Sequence, residues 1–370
     1  MKKRVCLFFD RTYVDAHFCF REMVMQFLNK GWLVDLYLEF CTTQPVPCFP
    51  TDRIRIFFVR RSKTSLLGFL LRFLLGTRYD LVVATPQWAL YWAVWTARLR
   101  KIPVVCLSDE IYSWDQIVHL SKNEVKPWLR KWTAREKWAH QKCAMTISLS
   151  EDRFQAVKKK NELPDRQAWT VIPNAPAGPS GKLQSSFYRE RLSIGAQKAL
   201  LLHSGSLDWN FTKTLIEASK SWGDNMALVF QMRTLGALNG FEKSLNVYFS
   251  DTTLPADLMR YATSSADIGL MLYNQSNFIE AVNGATAGKL GLYLGCGLPI
   301  IACNLEVLKW VEAEGCGVWV SQVSEIPEAA KKIMANYACY SENASRVFNE
   351  RYEYSKHFNI FMEKLTESVI

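Results

Sequence analysis

At 370 residues, 49% of them hydrophobic, the chain can fill two cores and suits two domains of about 150–200 residues each better than one. No run of 18 apolar residues occurs, which argues against a transmembrane helix. Ten cysteines with no Cys-x-x-Cys spacing and no His cluster argue against structural zinc or a disulfide framework and suit a reducing cytoplasm. The net charge of +10 is uneven: residues 1–170 hold 28 Lys+Arg against 16 Asp+Glu, whereas residues 171–370 hold 17 against 19. The first half therefore calls for an anionic partner.

The basic start, Met1–Arg4, leads into an apolar run that ends at Asp10, too short for a signal peptide and better read as a buried first strand, Val5–Phe9. An amphipathic helix near His17–Lys30, closed by Gly31, separates it from a second strand, Leu33–Glu39. Further strands are expected at Ile54–Val59, Leu81–Thr85, Pro103–Leu107 and Ala144–Ser148. The segment Ala175-Pro176-Ala177-Gly178-Pro179-Ser180-Gly181 reads as a linker. The scheme then repeats, with strands at Ala199–Ser204, Ala227–Gln231, Leu245–Ser250, Ile268–Leu272, Leu298–Ala302 and Gly317–Val320. A last helix is expected over about Ser341–Glu367. Strands alternating with helices imply parallel sheets covered on both faces. Two such doubly wound domains would bind ligands at the carboxyl ends of their strands, in a cleft between them.

The stretch Ala285-Thr286-Ala287-Gly288-Lys289-Leu290-Gly291-Leu292-Tyr293-Leu294-Gly295-Cys296-Gly297-Leu298-Pro299-Ile300-Ile301 carries the most chemistry. A small-residue loop with one Lys opens a short apolar helix, which stops at Gly297 before a buried strand. Unpaired N–H groups and the helix dipole attract an anion at such a start, and Lys289 adds a point charge. The expected ligand carries phosphate. Gly205 and Ser206, after the strand Ala199–Ser204, could approach and donate to a phosphate. Arg233, past the strand Ala227–Gln231, is a further cation. The loop Asn274–Glu280 offers Asn277 and Glu280 to read sugar hydroxyls. No Gly-x-Gly-x-x-Gly follows the first strand and no P-loop occurs, so dehydrogenase and P-loop readings lose support.

These residues resemble the GT-B glycosyltransferases, especially the glycosyltransferase family 4-like group, whose C-terminal half has a Lys-Leu-x-x-Tyr-Leu-x-x-Gly-x-Pro-Ile-Ile run. In order before it, Ala144-Met145-Thr146-Ile147-Ser148-Leu149-Ser150-Glu151, Val171-Ile172-Pro173-Asn174-Ala175 and Leu200-Leu201-Leu202-His203-Ser204-Gly205-Ser206-Leu207 resemble further family motifs. The resemblance covers nearly the whole chain. It implies an α/β GT-B fold, two doubly wound Rossmann-like domains facing a central cleft. An acceptor domain would span 1–174, a linker 175–185, a nucleotide-sugar domain 186–345, and residues 346–370 a helix packing back on the first domain. It implies donor contacts from Gly205, Ser206, Arg233, Asn277, Glu280, Thr286 and Lys289. Many retaining members carry two Glu eight positions apart near this place. Here those positions are Gly284 and Leu292, so donor sugar and stereochemistry stay open. No Asp-x-Asp is present, which favours metal independence and no cofactor beyond the nucleotide-sugar substrate.

An inverting transferase needs a base on the acceptor hydroxyl. Asp15 and His17 follow the first strand, and Asp109 and Glu110 follow the strand Pro103–Leu107. The bland readings are a solvated loop, a first helical turn and helix capping. His203 reads as a core histidine. Two basic, apolar stretches, Arg60–Leu75 and Lys126–Trp138, suit the interface of an anionic bilayer and would account for a lipid-linked acceptor. No nucleic-acid reading module is present. The reading is a cytoplasmic, peripheral-membrane glycosyltransferase of surface polysaccharide assembly. A nucleotide-sugar epimerase would not need the basic patches. A non-catalytic GT-B module would tolerate Lys289→Ala and Asp15→Ala.

Overall fold

The computed structural model describes residues 2–10, 14, 17–39, 47–49, 51–60, 62–111, 127–205, 210–232, 245–273 and 284–369. The chain divides into two units, Met1–Pro173 with Tyr354–Ile370, and Asn174–Glu353. In the first unit the strands are β1 (Arg4–Phe9), β2 (Leu33–Glu39), β3 (Ile54–Val59), β4 (Leu81–Ala84), β5 (Val104–Ser108), β6 (Met145–Ser148) and β7 (Ala168–Val171). They form a parallel sheet in the order β3-β2-β1-β4-β5-β6-β7. Near-continuous apolar strands such as Leu81–Ala84 and Val104–Ser108 are buried along their whole length, as a sheet covered on both faces requires. Helices α1 (Phe18–Asn29), α2 (Lys63–Leu71), α3 (Trp88–Leu99), α4 (Pro127–His140) and α5 (Glu151–Asn161) supply the cover.

The second unit repeats the plan. Strands β8 (Ala199–Ser204), β9 (Met226–Gln231), β10 (Val247–Ser250), β11 (Ile268–Leu272), β12 (Ile300–Cys303) and β13 (Gly317–Val320) are parallel in the order β10-β9-β8-β11-β12-β13. One face buries Leu201, Leu228, Phe230, Leu270, Ile301 and Val318 under helices that include α7 (Asn210–Ser219), with Leu215 and Ile216. Strand order reverses between β1 and β4 in one unit and between β8 and β11 in the other. Ligands bind outside the carboxyl ends of strands at such switch points.

Two features differ from the sequence reading. Strand β7 falls where the sequence showed only a linker entrance; Trp169 stacks on Phe154 with ring centroids 4.3 Å apart, which covers a short strand with few aliphatic residues. The expected last helix is two helices, Tyr337–Arg351 and Tyr354–Val369. No Gly or Pro marks the break, because tertiary contacts make it: Glu353 Oε1 accepts from Gly178 N at 2.8 Å, and the buried Tyr354 donates its hydroxyl to Cys19 O at 3.1 Å. The stretch expected at a membrane lies, from Pro127 on, in α4, where Arg130, Lys131 and Trp138 are exposed and Glu136 is buried. Trp132 and Trp138 lie 5.9 and 5.6 Å from the Tyr91 ring, and Arg135 stacks on both Tyr91 and Trp132.

Candidate active site

The switch point of the second unit is built around helix α9 (Gly288–Gly295; α6 is Phe187–Arg191 and α8 Ala256–Ser264). Tyr293, one turn after Lys289, reaches the end of β8. Its hydroxyl accepts from Ser204 N at 2.9 Å and donates to Leu202 O at 3.1 Å. The ring of Tyr293 occupies the space where any Cβ on Gly269 of β11 would fall. Residues 174–175 run across the same helix: a Cβ on Gly291 would sit 2.5 Å from the Ala175 Cβ, and one on Gly288 3.0 Å from the Asn174 amide. Gly288 and Gly291 are thus small because the Asn174-Ala175 pair lies on them, whereas a Cβ on Gly295 would meet the Phe348 ring at 2.9 Å. At the far end, Gly297 takes φ +65°, and Leu298 N returns to Tyr293 O at 2.9 Å, closing the helix before β12.

The start of α9 has no side-chain cap; Ala287 at the N-cap has an extended backbone and Thr286 lies half-buried just before it. Leu290 N donates to Ala287 O at 2.9 Å, which leaves the N–H groups of Gly288 and Lys289 as the ones an outside acceptor could meet. Lys289, the second helical residue, holds its ammonium 4.6 Å from the Tyr273 ring centroid. Among the described residues no carboxylate pairs with it, and desolvation pushes its pKa down to about 7. Beside this start, at the end of β8, Gly205 has φ +137°, a conformation that favours glycine, and its N–H donates to Gln231 O at 3.1 Å. Gln231 is itself fixed by the Tyr188 hydroxyl at 3.0 Å and by its own amide donating to Thr252 O at 2.8 Å. His203 is buried, as read from the sequence, and its Nδ1 has no hydrogen-bond partner among the described residues.

Of the donor-side candidates, Gly205, Thr286 and Lys289 are described, while Ser206, Arg233, Asn277 and Glu280 lie outside the described residues. Tyr273 and Asn174 were not singled out as site residues. Tyr273 had no signal beyond its place after β11, and Asn174 stood inside a motif read as a linker entrance. The two positions of the retaining-type Glu pair have a physical reason to lack Glu. A Cβ on Gly284 would meet the Tyr273 ring at 2.8 Å, and Leu292 is buried.

In the first unit, His17 precedes α1 with an extended backbone, and its ring lies 5.6 Å from Phe20. Asp109 is buried after β5, with half-buried Glu110 next to it. Arg153 of α5, buried and unnoticed in the sequence, donates to the Asp109 carbonyl oxygen at 2.6 Å. The hint lay in Ser150-Glu151: Ser150 caps α5 by accepting from Arg153 N at 3.2 Å, which places Arg153 in the first turn, facing β5. Asp15 lies outside the described residues.

Residues 216–353 match the model of the glucosyltransferase 3-like family, C-terminal domain. No curated protein matches the sequence. Among solved structures, the chain is similar to HepE of Anabaena in complex with UDP and glucose, at 14% identity and TM-score 0.68 over 98% of this chain and 99% of that one. It is similar to sucrose-phosphate synthase from Thermosynechococcus elongatus at 14% identity and TM-score 0.66, over 99% and 100% of the two chains. It is also similar to WaaG, a glycosyltransferase involved in lipopolysaccharide biosynthesis, at 15% identity and TM-score 0.62, over 96% and 98%. The two sheets and these likenesses show the GT-B fold, and the second unit is similar over residues 216–353 to a glucosyltransferase C-terminal domain.

Proposed function

We propose that the protein transfers a sugar from a nucleotide-sugar donor to a glycan or glycolipid acceptor, the donor diphosphate being held by the second unit at the start of α9. The observation that carries this is Lys289, a desolvated cation without a carboxylate partner among the described residues, at an uncapped helix start. A leaving diphosphate gains negative charge as the glycosidic bond to it breaks, and fixed N–H groups with one ammonium meet that charge without reorganising. No metal is needed for this, so activity should survive a chelator. HepE is solved in complex with UDP and with UDP-glucose, and an alpha-glucosyltransferase with UDP-glucose, which makes UDP-sugars the first donors to test. Donor contacts are assigned to Gly205, Ser206, Arg233, Asn277, Glu280, Thr286 and Lys289. On the acceptor side, one of Asp15, His17, Asp109 or Glu110 would take the proton of the attacking hydroxyl. A lipid-linked acceptor at the inner face of a membrane, in surface polysaccharide assembly, suits the basic first half; no described helix is long and apolar enough to cross a bilayer.

Thermal shift with UDP-, GDP-, TDP- and CMP-sugars tests the reading. One nucleotide class should raise the melting temperature by several degrees at about 100 times its Kd, and Lys289→Ala should abolish the rise. No shift with any of them would remove the donor site as assigned.

A further inference from the structure

Tyr273 has no part in the donor reading, yet it touches the cation that carries it. Alternation along β11 sets the side. Leu270 and Leu272 enter the core under α7, so Gly269 and Met271 face α9, where Gly269 meets the Tyr293 ring. Tyr273, the next residue in that alternation, reaches α9 at Lys289, whose ammonium rests 4.6 Å from the ring centroid. The ring is wedged in place. A Cβ on Gly284 would fall 2.8 Å from its Cγ and 3.1 and 3.2 Å from its two Cδ atoms, so the glycine backbone lies against a ring face and no side chain fits between. Because Tyr273 directly follows β11, ring and ammonium stand at the carboxyl end of that strand, at the switch point between β8 and β11.

Two other described lysines of this unit also lie on aromatic rings, and each meets a carboxylate as well. Lys309 is 4.4 Å from the Trp319 centroid and 2.6 Å from Glu306. Lys182 is 5.0 Å from the Tyr337 centroid and 3.6 Å from Asp267. Lys289 has the ring and, among the described residues, no carboxylate. A carboxylate there would neutralise the ammonium and compete with an incoming phosphate. A ring face attracts the cation and leaves its N–H donors on the far side available. Desolvation, which lowers the Lys289 pKa, also strengthens such a contact. We propose, resting on the donor reading above, that Tyr273 is a positioning residue of the donor site: its ring fixes the Lys289 ammonium at the carboxyl end of β11 and keeps hold of it when the diphosphate binds. Tyr273 acts through Lys289, which then meets the charge developing on the leaving group without having to be moved into place. The ring face carries this role and the hydroxyl does not.

The test is calorimetric titration of UDP-glucose, GDP-mannose and TDP-glucose, with the matching nucleoside as the ligand lacking phosphate. The proteins are wild type, Tyr273→Phe, Tyr273→Leu, and a series with mono-, di- and trifluorophenylalanine at position 273. Fluorination keeps the size of the ring and drains its negative face, which a merely structural role would not register. Tyr273→Phe should bind the recognised nucleotide-sugar within about two-fold of wild type. Affinity should then fall stepwise along the series, to about ten-fold for the trifluoro ring and for Tyr273→Leu, with nucleoside binding unchanged. If Tyr273→Leu does not fold, the fluorinated series decides alone. A flat series overturns the proposal. A rise in affinity along the series also overturns it, since the ring would then be holding Lys289 away from the ligand. A loss in Tyr273→Phe as large as in Tyr273→Leu gives the effect to the hydroxyl and overturns the role of the ring. In these three cases wild type still binds and the donor site stands. No binding of any nucleotide-sugar to wild type removes the donor reading and this proposal with it.

Discussion

Lys289 concentrates the balance between stability and function. Its ammonium pKa is lowered from 10.5 to about 7 by burial, so the folded chain binds fewer protons than the unfolded chain between those values. Stability from this group therefore rises with pH across that window, and the penalty is full below pH 7 and gone above about 10.5. Lys289→Met, which keeps length without charge, should stabilise the ligand-free protein at pH 6 by about 1–3 kcal/mol. Thermal denaturation from pH 6 to 10 checks this: the gain should shrink as pH rises, while nucleotide-sugar binding is lost at every pH. A gain that does not vary with pH would mean that burial of the charge is not what the mutation relieves.

At the scale of elements, α9 is located by one hydroxyl and three glycines. Tyr293→Phe removes the acceptor of Ser204 N and the donor to Leu202 O, and leaves buried backbone groups unmade at about 1–3 kcal/mol. It should also loosen the β8 end against Lys289, so nucleotide-sugar affinity should fall although Tyr293 is not assigned to touch the ligand. Gly291→Ala places a Cβ 2.5 Å from Ala175 and should cost about 1–3 kcal/mol by overpacking. Urea denaturation measures both, and a neutral Gly291→Ala would show that residues 174–175 yield easily. This packing also says what the sequence could reveal. Strands such as Ile268–Leu272 were legible because a doubly buried parallel strand must be a short apolar run, and α9 because Gly297 and Pro299 punctuate it. Strand β7 was hidden because its cover is one aromatic stack, Phe154 on Trp169. The break at Tyr352–Glu353 was hidden because distant partners, Gly178 and Cys19, impose it. Lys289 was legible by its motif, whereas Tyr273 and Arg153 were not, since their roles arise from neighbours far along the chain.

For the whole molecule, the open question is what the basic first half meets. Trp132 and Arg135 of α4 pack on Tyr91, while Arg130, Lys131 and Trp138 stay exposed. Helix α2 and the π-turn after it, Arg72–Gly76, are different. Phe69 and Phe73 point into the core, yet the opposite side exposes Leu67, Leu71 and Leu75, the last at 80%. Neighbouring α3 likewise exposes Trp95 and Leu99. Arg100 ties the two elements together by donating to Phe73 O at 2.7 Å and Thr77 O at 2.9 Å. Arg60, Arg72, Arg78, Arg98 and Lys101 are exposed on the same elements or beside them. Apolar stripes among arginines match a lipid surface with anionic headgroups, where each cation contributes about 1 kcal/mol and a buried Leu about 1.5–3 kcal/mol. Co-sedimentation should therefore show binding to phosphatidylglycerol vesicles, weakened at high salt and by neutral phosphatidylcholine. Leu71→Glu with Leu75→Glu should lower vesicle affinity by at least about ten-fold and leave the folded state intact, since both side chains already face water. Trp132→Ala should instead lower the melting temperature, because its ring packs against Tyr91. If the double Leu variant binds vesicles as wild type does, the stripe does not meet lipid, and the charge of the first half must serve the acceptor glycan directly.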